Sequence, residues 1–154
     1  MYDALCVRAS LLVARGKGSL SPESLVHDVL VKLFRSESQN WRDEVHFRAT
    51  AALAMRQILA DRARKSRTAR HGHCLASVSL SGLSDPKEIV DAFALKEALD
   101  ALEPVHPRAV TVFVYRLFGG LKWSEVADAL GCSESTVKRE WRIGQAWVRM
   151  RLAA

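Results

Sequence analysis

Leu121-Lys122-Trp123-Ser124-Glu125-Val126-Ala127-Asp128-Ala129-Leu130-Gly131-Cys132-Ser133-Glu134-Ser135-Thr136-Val137-Lys138-Arg139-Glu140-Trp141 is the stretch that decides the fold. A short apolar helix runs into Gly131, which permits the left-handed backbone that ends a helix. Ser133 then offers its hydroxyl to the orphan amides of a second helix. Val126, Ala127 and Leu130 face a core, and Ala127 is small enough for the second helix to approach closely. Val137, Trp141, Gly144 and Val148 recur at i, i+4, i+7 and i+11, the spacing of one buried seam. Ser135, Lys138, Arg139 and Arg142 are left on the opposite face. Arg and Lys there can donate to guanine O6 and N7, and Ser to bases or phosphate. The N-terminal amides of that helix also favour a phosphate. The pattern is that of a helix-turn-helix reading a DNA major groove. The plainer alternative is a helical hairpin with a solvated basic face. Gly144 is a weak point, since a mid-helix Gly costs about 1 kcal/mol relative to Ala.

Outward from this stretch, helical periodicity dominates and strand signals are scarce. The spacing predicts a helix over about 2–15, broken by Gly16-Lys17-Gly18. Ser21-Pro22 opens the next, with Ser21 as N-cap and Pro22 at the first helical position. Leu25, Val26, Val29, Leu30, Leu33 and Phe34 form its apolar stripe. Residues 36–40 read as a polar loop. A long helix follows over about 43–67, with Phe47, Ala51, Leu53, Ala54, Ile58 and Leu59 as apolar members. Residues 71–86, rich in Gly and Ser, read as a linker. Further helices are predicted near 87–102, 106–118, 122–130 and 134–151, punctuated by Pro104, Pro107 and Gly119-Gly120. The fold class is therefore all-α. Two small helical domains, 1–70 and 87–154, are expected on either side of the 71–86 linker, the second a four-helix helix-turn-helix unit.

Composition narrows the function. Apolar residues make up 49% of the 154, enough for packed helical cores. The net charge of +6 suits a polyanion, though also many ordinary basic proteins. It is uneven: residues 1–80 hold 13 Lys and Arg against 7 Asp and Glu, residues 81–154 hold 10 of each. Any broad electrostatic grip on nucleic acid thus lies in the first half. There, Arg62, Arg64, Lys65, Arg67 and Arg70 crowd one helix end and can neutralise phosphates. A solvated helix terminus explains the cluster equally well. Trp41, His46 and Phe47 lie upstream, where an aromatic could stack on an unpaired base or simply serve the core.

Cys6, Cys74 and Cys132 are too scattered for a disulfide framework, which favours a reducing cytoplasm. No signal peptide or membrane span is legible. His71-Gly72-His73-Cys74 offers three close ligands with no second cluster at finger spacing, so no metal is expected. Asp3, Asp28 and Asp61 form no nuclease or phosphatase set. A phosphate loop, a nucleophile elbow and an HExxH are all missing. The reading is of a protein that is not an enzyme and needs no cofactor.

In full order the chain resembles an extracytoplasmic-function (ECF) sigma factor. Residues 24–34, from Ser24-Leu25-Val26-His27-Asp28 to Leu33-Phe34, resemble region 2.1–2.2. Phe47 through Arg67 resemble regions 2.3 and 2.4, and Leu95 through Trp147 resemble region 4. Leu117-Phe118-Gly119-Gly120-Leu121 and Thr136-Val137-Lys138-Arg139-Glu140-Trp141 are the most specific strings. The resemblance implies that His27, Asp28, Val31, Lys32 and Arg35 dock on the β′ clamp helices of core RNA polymerase. It implies that Trp41, His46, Phe47, Arg48, Arg56, Gln57, Arg62, Arg64, Lys65 and Arg67 capture the melted −10 promoter element. Ser133, Ser135, Thr136, Lys138, Arg139 and Arg142 would read the −35 duplex, with further contact to the β flap. Promoter DNA and an anti-sigma factor are the other implied partners. The chain departs from the family pattern in four places. The resemblance leads one to expect about one helix more before Tyr2-Asp3-Ala4-Leu5, from a start further upstream or lost in a reduced region 2. Ser24 stands where an acidic residue is common, Lys122 where a capping Ser is usual, and Gly144 replaces a usual Ala. A DNA-binding regulator that never serves as a sigma subunit, or a helical protein-binding module, would keep the helix-turn-helix without the polymerase role.

Overall fold

The computed structural model describes residues 2–12, 21–35, 40–68, 77–79 and 89–153. Among the described residues there are seven helices: α1 (Tyr2–Leu12), α2 (Pro22–Arg35), α3 (Glu44–Thr68), α4 (Ala92–Leu102), α5 (Pro107–Leu117), α6 (Trp123–Leu130) and α7 (Glu134–Ala153). The all-helical class stands, with one small addition. Strand β1 (Ser77–Ser79) pairs antiparallel with β2 (Ile89–Asp91), Val78 opposite Val90. The expected helix at 87–102 therefore begins only at Ala92. Asp91 ends the strand and caps the helix, its Oδ1 accepting from Phe93 N at 3.3 Å. Gly16-Lys17-Gly18, the 36–39 part of the polar loop, Arg70 and the His71–Cys74 cluster lie outside the described residues.

Local chemistry sets the other helix starts. Ser21 Oγ accepts from Ser24 N at 3.1 Å with Pro22 at the first helical position, as expected. Asp43 Oδ1 takes His46 N at 2.8 Å and opens α3. Ser133 Oγ takes Thr136 N at 3.2 Å and opens α7. Lys122 has no capping side chain to give. Glu125 makes up half of the deficit, its Oε1 accepting from Lys122 N at 2.8 Å. Gly131, at φ +66°, closes α6 in the left-handed region.

The apolar core runs without a break from α1 to α7. Leu5, Ala9 and Leu12 are buried on α1, which packs on α2; Leu25, Val26, Val29 and Leu33 are buried on α2, which packs on α3; and Phe113, Val126, Val137 and Val148 anchor the C-terminal helices. Two expected core members are surface residues: Phe34 is 58% and Leu53 46% exposed. Leu53 points away because α3 buries its small side chains instead, with Ala49, Ala51, Ala52, Ala54 and Ala63 all under 7% exposed. Phe34 lies edge-on to Trp41, which in turn meets the buried Phe47 at 4.9 Å.

The seam of α7 is buried as its spacing required. Trp141 stacks on Phe113 at 5.4 Å, and Trp147 Nε1 donates to the Ala98 carbonyl at 2.8 Å. Gly144 has a packing reason. A Cβ there would sit 3.3 Å from the Ala109 carbonyl and 3.5 Å from Phe113, so Gly lets α7 lie close on α5. Gly144→Val should accordingly destabilise the fold by about 1–3 kcal/mol through overpacking, read as a lowered midpoint in chemical denaturation.

Candidate nucleic-acid interface

The turn between α6 and α7 fixes which side chains α7 can present. Gly131 reverses the chain, Ser133 caps the new helix, and the Val137–Val148 seam faces inward. Ser135, Lys138, Arg139 and Arg142 are left exposed in a strip along the opposite side. Ser133 and Thr136 are occupied locally: their hydroxyls lie 3.0 Å apart, and Ser133 also holds Thr136 N. The exposed strip has the charge and spacing to follow phosphates and base edges.

The wall behind this strip is aromatic. Trp123 meets Trp141 edge-on at 5.8 Å, and the Arg116 guanidinium lies 3.8 Å from the Trp123 ring centre. Such cation–π stacking in a half-buried place contributes about 1–2 kcal/mol. Arg116 Nη1 also donates to the Leu121 carbonyl at 2.8 Å, while its Nε is buried without a partner. Burial lowers the pKa of Arg116.

On the N-terminal side the expected residues divide. Arg64 and Lys65 are exposed at the end of α3, with Arg64 3.8 Å from Asp61. Gln57 is exposed, and Trp41 is half-buried. Phe47 is 4% exposed and serves the core, so its ring is not presented to a base in this conformation. His46 is half-buried, its Nδ1 accepting from Arg42 N at 3.1 Å. Arg62 turns back onto α2, donating to Ser24 Oγ at 2.8 Å and to the Asp28 carboxylate. Two residues expected to meet different partners, Arg62 and Asp28, thus bind each other. The Arg67 side chain lies outside the described residues. Along α2, His27 and Arg35 are exposed and Val31 and Lys32 half-buried.

Arg48 and Arg56 reach across to the C-terminal helices. Arg48 Nη2 donates to the Gly120 carbonyl at 2.7 Å, and Arg48 Nη1 meets Glu125 Oε2 at 3.1 Å. Arg56 bridges Asp100 and Glu103, each at 3.3 Å. Arg8 of α1 joins Arg48 at the turn that follows α5. Its Nε donates to the Leu117 carbonyl at 2.6 Å and its Nη2 to the Arg116 carbonyl at 3.3 Å.

These contacts complete the end of α5. The last four carbonyls of a helix lack partners within it. Backbone amides of Phe118 and Leu121 take those of Val114 and Tyr115, and Arg8 takes those of Arg116 and Leu117. A cation is also favoured at the negative end of the helix dipole. Burial, with Arg116 and Arg48 nearby, lowers the Arg8 pKa to about 10, so it remains charged at neutral pH.

Spacing did not reveal Arg8, Arg116, Asp100 or Glu103, because their roles arise only between distant segments. Glu125 could have been found, since it lies three residues beyond a helix start. Among the described residues no group of three His, Cys, Asp or Glu could hold a metal, and no helix is long and apolar enough to cross a membrane.

The family profile for ECF sigma factors matches residues 1–154. The chain belongs to the ECF sigma factor family. Its role is accordingly that of a sigma factor in transcription initiation, and the family is one of transcription regulators rather than enzymes. No curated protein and no solved structure matches the chain. In this ECF sigma factor the α7 cap is separable from the exposed basic strip. Ser133→Ala should cost about 1 kcal/mol of stability and Ser133→Gly only a few tenths, measured by thermal unfolding.

Proposed function

We propose that this sigma factor binds core RNA polymerase and directs it to promoters by a two-point grip on DNA. The helix-turn-helix of α6 and α7 docks in the −35 major groove, with Arg139 and Arg142 toward base edges and Ser135 and Lys138 toward base or backbone. The segment from Trp41 along α3 to Arg64 and Lys65 takes the melted −10 strand, by stacking on Trp41 and by neutralising phosphates. The outward side of α2, with His27, Val31, Lys32 and Arg35, lies against the β′ clamp helices. The C-terminal unit further touches the β flap, an anti-sigma factor regulates the protein, and its place of work is the cytoplasm.

The exposed strip of Ser135, Lys138, Arg139 and Arg142 carries this reading. It lies opposite a fully packed seam, on the second helix of the helix-turn-helix. A hairpin that only packed would have no need to align one serine and three cations on one open side. The uneven charge agrees, with the excess of Lys and Arg in the half assigned to the opened strand.

Run-off transcription tests the polymerase role. Sigma-free core polymerase mixed with this protein should initiate on the promoter of its own operon. Duplex binding without polymerase binding would instead indicate a regulator that is not a sigma subunit. Arg139→Ala and Arg142→Ala should each weaken −35 binding by about 1–3 kcal/mol where they read a base. A uniform loss across sequences would mean phosphate contact alone, and unchanged binding in both would remove the recognition-helix assignment. Neutralising Arg64 and Lys65 should flatten the salt dependence of binding to forked −10 DNA.

A further inference from the structure

Phe34 is out of place as a core residue. It continues the apolar stripe of α2 in spacing, yet at the penultimate position of the helix it is 58% exposed, while Leu33 beside it is 4% exposed. Burial therefore does not account for a phenylalanine here. What the ring does meet is Trp41, with 6.5 Å between ring centres and the planes 76° apart.

Trp41 is held from two further directions. Its backbone leads into the start of α3, which is locked by a reciprocal pair: Asp43 Oδ1 accepts from His46 N at 2.8 Å, and His46 Nδ1 accepts from Arg42 N at 3.1 Å. Its indole stands at 87° to the Phe47 ring, 4.9 Å away, and Phe47 is buried. The rings form a row from the core outward: Phe47 buried, Trp41 half-buried, Phe34 exposed. Edge-on contact is a favourable geometry between aromatic rings. One such neighbour leaves a ring able to pivot about the contact. A second neighbour, on a different helix, removes that freedom.

We propose that Phe34 is a positioning residue, which holds the indole of Trp41 in the orientation on which an unpaired base of the melted −10 strand stacks. The proposal rests on the reading of Trp41 given under Proposed function, and adds to it a residue that itself touches no base. A ring already fixed in place need not be ordered when the strand binds, so less of the stacking free energy is spent on fixing it. Because Phe34 belongs to α2, the platform is set between the helix assigned to polymerase and the helix assigned to the opened strand.

The test uses the full-length protein and a forked duplex from its own promoter, with 2-aminopurine at each unpaired −10 position in turn. Stacking quenches the fluorescence of that base. Phe34→Leu keeps an apolar side chain at an exposed site and removes the ring, whereas Phe34→Tyr keeps the ring. Phe34→Leu should weaken fork binding by roughly three- to tenfold, the equivalent of one edge-on aromatic contact. It should also reduce the quenching at the position that Trp41 covers, even at saturating protein. Phe34→Tyr should restore both. Trp41→Ala should abolish that quenching, and Phe34→Leu added to it should change nothing further, because Phe34 acts only through Trp41. Unchanged quenching in Phe34→Leu overturns the positioning role. So does a loss of affinity that persists in the Trp41→Ala background, which would make Phe34 a DNA contact of its own or a residue of general stability. If Trp41→Ala itself leaves fork binding and quenching unaltered, or the unaltered protein does not bind the fork, the −10 reading fails and the role of Phe34 falls with it.

Discussion

The carbonyls at the end of α5 are the fixed point of this structure. A helix that stops inside a protein leaves acceptors that must be answered, because an unmade buried hydrogen bond costs more than a made one contributes. Here the answer comes partly from the chain's other end. Arg8 holds the carbonyls of Arg116 and Leu117, and Arg48 holds that of Gly120. Gly119 and Gly120 make the approach feasible: the first has no room for a methyl group beside Leu121 and Tyr115, and the second lies at φ +63°. From this turn α6 departs, and from α6 the exposed strip of α7 takes its direction. Arg116 reinforces the arrangement from the other side, stacked on Trp123 and donating to Leu121.

Much of this was legible in the residues. The α6–α7 turn follows from Gly131, Ser133 and the Val137–Val148 seam, all local features with a fixed period. The start of α2 at Ser21-Pro22 is equally local. What escaped depends on contacts between segments far apart in sequence. Spacing cannot say that Phe34 is uncovered, because its place in the stripe is real and only its neighbours decide the burial. Nor can it say that Leu53 faces solvent on a helix whose alanines are buried on several sides. Strand β2 was hidden inside a helical pattern, since Ile89-Val90 is apolar in either conformation and its partner β1 lies in a segment that reads as linker.

The candidate site divides along the same line. Exposure of Ser135, Lys138, Arg139 and Arg142 followed from the seam opposite them. The fate of the arginines on α3 did not, because a guanidinium on a half-buried helix takes whichever acceptors the fold brings near. Arg62 finds Asp28, Arg48 finds Glu125 and two carbonyls, and Arg56 finds Asp100 and Glu103. Residue type alone marks all of them as phosphate-binding, and only geometry shows which hold protein oxygens instead.

Glu125 belongs to two assemblies at once. Its carboxylate receives the amide that begins α6 and the guanidinium of Arg48. One carboxylate oxygen faces the Lys122 amide and, at 3.4 Å, Arg48 Nη1, so the two donors share one group's charge. Binding free energies coupled in this way are reciprocal: whatever alters one partner's hold on the shared group alters the other's by the same amount. A single carboxylate thereby joins the helix pair that presents Arg139 and Arg142 to the long helix α3.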